Sequence, residues 1–143
     1  MKKIIYTLAI GLVLISCNKS DDNNSNCNFL LNVTVNYPIN LNLPQFNNLL
    51  FTQSPVLING EGNGGIVVMK TLGENYVAWD AADPNHPLES CSFMTLEGTT
   101  LTSTCDGGNI YDINTGLPLT ENLACALKPY RAEQSGNTIF ISN

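Results

Sequence analysis

The sequence predicts an all-β fold, a sandwich of small antiparallel sheets. Short runs rich in β-branched and aromatic residues recur at regular spacing, bounded by Gly98, Gly116 and Gly136. No stretch beyond the first sixteen residues sustains a helical period. The chain has 143 residues, of which 43% are apolar and 13% charged, enough for one domain and too few for two comfortable ones.

The first segment sets the compartment. Lys2 and Lys3 form a positive start, and residues 4–15 are an apolar run too short to span a membrane. The run ends in Leu14-Ile15-Ser16-Cys17. These residues resemble the lipobox of bacterial lipoproteins. The resemblance implies removal of residues 1–16 and acylation of Cys17 on its thiol and new amine, palmitate included. An ordinary signal peptide with an incidental Cys is the other reading. Residues 17–26 are polar and of low complexity, a tether that cannot bury a core. Lys19, Asp21 and Asp22 also look like the export signal of some Gram-negative surface lipoproteins; a generic solvated tether reads the same way. The chain is therefore expected at the outer membrane, lipid-anchored, on the periplasmic side or the cell surface.

Charge excludes some partners. The whole chain carries six basic and twelve acidic residues. Losing Lys2 and Lys3 leaves four against twelve, a net charge of −8. No basic stripe for nucleic acid exists. Anionic lipid surfaces would repel the mature chain, so the lipid alone holds it to the membrane.

From Cys27 to Asn143 the chain reads as one β domain. Leu31, Val33, Val35 and Tyr37 alternate with polar residues, which predicts a strand. Pro38 and Pro44 then predict an irregular loop over 39–51. Residues 56–58 form a short strand, and the glycine-rich run 60–65 a turn. Residues 66–69 and 76–79 predict a hairpin. Further strands are expected at 94–96, 99–103, 110–113, 126–131 and 138–141.

Four cysteines remain after Cys17: Cys27, Cys91, Cys105 and Cys125. In an exported chain they predict two disulfides, with three connectivities open. Their spacing lacks the Cys-x-x-Cys of a zinc site.

A hairpin ends in Tyr76-Val77-Ala78-Trp79-Asp80-Ala81, followed by a loop with Asp83-Pro84-Asn85-His86. Two strands lead to a second loop, Ser103-Thr104-Cys105-Asp106-Gly107, which runs into Tyr111-Asp112-Ile113-Asn114-Thr115-Gly116. Residues 127–130 and 136–141 follow as a closing hairpin. In this order of features, residues 66–142 resemble a Rieske domain.

The resemblance implies a [2Fe–2S] cluster held by Cys-x-His in the first loop and Cys-x-x-His in the second. Here Asp83 and Asn85 match the first pair, and Ser103 and Asp106 the second. Seventeen residues separate Asn85 from Ser103, the family's spacing between its ligand pairs. A shift of one residue would bring in His86 and still leave the other ligands missing. No cofactor or metal is therefore expected. A [2Fe–2S] cluster enters only if the family resemblance holds functionally. The family's loop-bracing disulfide implies Cys91–Cys105, worth about 3 kcal/mol in the chain-entropy model. That leaves Cys27–Cys125.

Other candidates have plainer readings beside them. Asp112-x-Asn114-x-Gly116 echoes the start of a calcium loop but lacks the distal Glu, and an Asx turn looks the same. His86 is expected on an exposed loop, a pH-sensitive contact or an ordinary surface residue. Asp83 and Asp106 should meet at the loop tips, binding a cation or a basic partner, or ending in solvent. Trp79 and Tyr111 read better as core than as a stacking platform. No catalytic residue emerges and the chain is not expected to be an enzyme. The leading expectation is a non-catalytic interaction or accessory component with an unidentified protein partner. Electron transfer through a [2Fe–2S] cluster is the alternative.

Overall fold

The computed structural model describes residues 27–143. The leader, Cys17 and the tether lie outside the described residues. Nine strands are present among the described residues: β1 (Asn36–Asn40), β2 (Val56–Ile58), β3 (Ile66–Lys70), β4 (Tyr76–Asp80), β5 (Thr95–Glu97), β6 (Thr100–Thr102), β7 (Ile110–Asp112), β8 (Pro129–Ser135) and β9 (Thr138–Ser142). A six-stranded sheet runs β1-β9-β8-β4-β3-β2, and a three-stranded sheet runs β5-β6-β7. Every strand pairing is antiparallel. The all-β expectation holds. Among the described residues no helix is long and apolar enough to cross a membrane.

The unbroken apolar run of β3 shows how the layers assemble. Ile66, Val67, Val68 and Met69 are all fully buried, as a strand covered on both faces requires. Alternation sends Ile66 and Val68 to one cluster, with Ile39, Leu49, Tyr130, Ile139 and Ile141. It sends Val67 and Met69 to the other, with Leu101, Tyr111, Ile113 and Leu127. The three-stranded sheet thus packs on one face of the large sheet. The other face is filled partly by a 3-10 segment, Pro44–Leu50, which buries Phe46 and Leu49.

The N-terminal expectations need correction. The strand predicted from Leu31 to Tyr37 begins only at Asn36 and runs through Pro38 to Asn40. Pro38 faces Phe140 of β9, and β1 is the outermost strand of its sheet, where a missing N–H is tolerated. Before Asn36 the backbone bonds to amide side chains rather than to a strand. The Leu31 N–H donates to Asn63 Oδ1 at 2.9 Å, and Asn63 Nδ2 returns to the Leu31 carbonyl at 3.1 Å. Asn143 does the same for Val33 and Val35. The predicted loop 39–51 is in part the ordered 3-10 segment. The alternation at 31–37 is therefore real but serves a tied-down strap.

Candidate functional site

The loops 81–94 and 103–109 feed the small sheet and meet at one end of the fold. Two disulfides fix them. Cys91–Cys105 joins loop to loop with Cα atoms 5.0 Å apart. Cys27–Cys125 ties the N-terminal strap to the connection before β8. Hydrogen bonds reinforce the first bridge: the Cys91 carbonyl accepts from the Thr104 N–H at 3.1 Å and from Ser103 Oγ at 3.3 Å.

At the matched positions the structure places a closed polar network. Asp83 is fully buried. Its Oδ1 accepts the Tyr111 hydroxyl at 2.5 Å and the Asn85 N–H at 2.9 Å. Its Oδ2 accepts Asn109 Nδ2 at 2.8 Å. Asn85 donates from Nδ2 to the Tyr111 oxygen and to the Cys125 carbonyl, both at 2.8 Å. Its Oδ1 accepts the Cys125 N–H at 3.0 Å. Ser103 is buried; its Oγ accepts the Cys105 N–H at 3.2 Å as well as donating to Cys91. Asp106 lies on the 3-10 turn Cys105–Gly107. Burial, and then the hydrogen bond to Asp83, push the Tyr111 phenol well above its ordinary range.

One expectation is overturned here. Asp83 does not end at the loop tip beside solvent; it turns inward, because Tyr111 and Asn109 offer it donors within the core. His86 lies partly buried on a loop whose residues Pro87, Glu89 and Ser90 are exposed, with Nδ1 2.9 Å from the Pro87 carbonyl.

Asp112 builds an Asx turn. Its Oδ1 accepts from the Asn114 N–H and Nδ2, each at 3.1 Å, and its Oδ2 from Thr115 Oγ1 at 2.9 Å. Burial opposes ionisation, but these bonds outweigh it and hold the carboxyl below the usual range. Its oxygens are spent on the turn. Tyr111 is core, and Trp79 is half-buried with its Nε1 donating to the Ile113 carbonyl at 2.7 Å.

Sequence reading missed a second buried acid. Asp80, at the end of β4, is fully buried. It accepts the Tyr130 hydroxyl at 2.6 Å, the N–H groups of Asn63, Gly64 and Ala82, and Asn63 Nδ2. The available signal is an Asp closing the otherwise apolar strand Tyr76–Asp80, opposite Ile66, which follows the glycine-rich run 60–65. Among the described residues no buried side-chain polar atom lacks a partner.

No protein-family model matches the chain. No curated protein matches it. Among solved structures it is similar to a chain of the complex of reduced oxygenase and oxidised ferredoxin in carbazole 1,9a-dioxygenase. The TM-score is 0.44 at 19% identity, covering 64% of this chain and 82% of that one. It is also similar to the ferredoxin of carbazole 1,9a-dioxygenase from Nocardioides aromaticivorans IC177. There the TM-score is 0.43 at 13% identity, covering 64% of this chain and 86% of that one. A protein described as a nitrite reductase (NADPH) small subunit gives a TM-score of 0.41 at 19% identity, covering 75% of this chain and 99% of that one.

Proposed function

We propose that this chain is a non-catalytic, lipid-anchored β domain at the outer membrane or cell surface. In this reading it serves as an interaction or accessory component and carries no iron–sulfur cluster. One observation carries the reading: the buried Asp83–Tyr111–Asn85–Asn109 network occupies the ground where the resemblance would put cluster ligands.

A cluster iron takes thiolate or imidazole donors. Asp, Asn, Ser and Asp supply neither, and the first three are already bonded within the fold. The nearby sulfurs of Cys91 and Cys105 are bonded to each other. This donor set does not fit a [2Fe–2S] cluster. The same network argues against general acid–base work, because Asp83 and Tyr111 are sealed from substrate. Ile110 and Leu119 support an interaction role. They are joined by a backbone hydrogen bond of 2.7 Å next to the second loop, and both are exposed.

Anchoring is tested by Cys17→Ala. The parent should incorporate palmitate and partition with outer membranes; the variant should do neither. Palmitate-free, soluble parent protein would remove the lipoprotein part of the reading. Iron content tests the other part.

A further inference from the structure

We propose that the Cys91–Cys105 bridge is a closed form of a metal site, and that reduction opens it to a thiophilic d10 cation, Zn²⁺ or Cu⁺. The site would comprise the two thiolates and His86.

The geometry comes first. One His86 ring nitrogen and the two sulfurs lie within 4.8 Å of one another. Donor atoms around a tetrahedral zinc stand roughly 3.6 Å apart, given Zn–S of about 2.3 Å and Zn–N of about 2.0–2.1 Å. The ring nitrogen must approach by up to about an ångström, and the two sulfurs, bonded to each other in the disulfide, must part after reduction by more than an ångström to reach that spacing. Thiolate and imidazole together select Zn²⁺ or Cu⁺ over hard cations.

The scaffold would outlast the covalent bond. The Cys91 carbonyl is gripped from the opposite loop by the Thr104 N–H, Ser103 Oγ and Thr104 Oγ1, at 3.1, 3.3 and 3.4 Å. The short 3-10 turn carrying Cys91 is closed by Ser92 Oγ, which donates to the Glu89 carbonyl at 2.8 Å and accepts the Glu89 N–H at 3.1 Å. Reduction therefore leaves both thiols facing each other beside His86. Cys91 and His86 are half-buried, so a cation can reach them.

The step balances with a dithiol as reductant. Its two thiols give two electrons and two protons to the Cys91–Cys105 bond, and the reductant leaves as its own disulfide. Cation binding then displaces the two cysteine thiol protons. This site is separate from the Asp83 network, so iron content does not bear on it.

The test uses the full chain from an exporting host, in detergent and without air. It is reduced with excess dithiol, desalted and titrated with Co²⁺ as a spectroscopic stand-in, then with Zn²⁺, then with Cu⁺ against a chromogenic competitor. We expect one equivalent bound with thiolate-to-metal charge-transfer absorption, and no binding by the oxidised chain. Cys91→Ser/Cys105→Ser should lose the absorption. His86→Ala, which keeps both cysteines and so the fold, should weaken binding by about tenfold or more. A reduced chain that binds nothing, equal binding by the oxidised chain, or equal affinity in His86→Ala would overturn the proposal.

Discussion

The Tyr111 hydroxyl stands 2.5 Å from Asp83 Oδ1, and both residues are fully buried. The pair locks β7 to the loop after β4, and Asn85 and Asn109 complete it from either side. Tyr111→Phe keeps the ring and removes one donor from a buried carboxyl. Leaving that acceptor short costs about 1–3 kcal/mol. Denaturant unfolding of the variant should show a lower midpoint at unchanged slope. A variant as stable as the parent would mean the network contributes nothing.

Tyr111 and Tyr130 also give an alkaline prediction. Burial, then hydrogen bonds to Asp83 and Asp80, push both phenols well above their ordinary range in the folded chain. The unfolded phenols ionise near pH 10. Above that pH the unfolded chain binds fewer protons than the folded one, so stability falls as pH rises. Their contribution is fully present below pH ~10 and is lost on the alkaline side. Unfolding free energy measured against pH should bend downward from there. Tyr130→Phe, at Asp80, should flatten part of that slope, and an unchanged profile would contradict the assignment.

The two disulfides should differ in weight. Cys27–Cys125 spans 98 residues and Cys91–Cys105 spans 14. In the chain-entropy model these are worth about 4–5 and about 3 kcal/mol. Cys27→Ser/Cys125→Ser should therefore lower stability more than Cys91→Ser/Cys105→Ser, by thermal or denaturant unfolding. The reverse order would show that the N-terminal strap is already loose.

Gly116 sits under Trp79. Its φ is +71°, and an added Cβ would lie 2.6 Å from the indole ring. Gly116→Ala combines left-handed strain with overpacking and should cost about 1–3 kcal/mol or more. Fluorescence of Trp79, the only tryptophan, should shift with it. A neutral, spectrally silent variant would show that the loop relaxes freely.

Local pattern was enough for most strands and not for the site: besides β1, the strand expected at 126–131 runs from Pro129 to Ser135. β3 and β4 were legible because four apolar residues in a row and an alternating partner bracket a turn. β1 was misplaced because proline tolerance depends on being at a sheet edge, a property of the whole sheet. The disulfide pairing followed from family resemblance, since spacing left three options open. Asp83 read as a loop acid because its donors lie 26 and 28 residues away, at Asn109 and Tyr111. Asp80 went unnoticed for the same reason, with Tyr130 fifty residues distant. Long-range polar satisfaction leaves no periodic trace.

In the proposed reading the loop ends hold a hydrogen-bonded network in place of a cluster. Iron content with a visible absorption spectrum tests it most directly, on full-length chain from an exporting host, purified in detergent without air. The account predicts a colourless protein with no iron and no free thiols among Cys27, Cys91, Cys105 and Cys125. Near two irons per chain, with sulfide-to-iron charge-transfer bands, would contradict it.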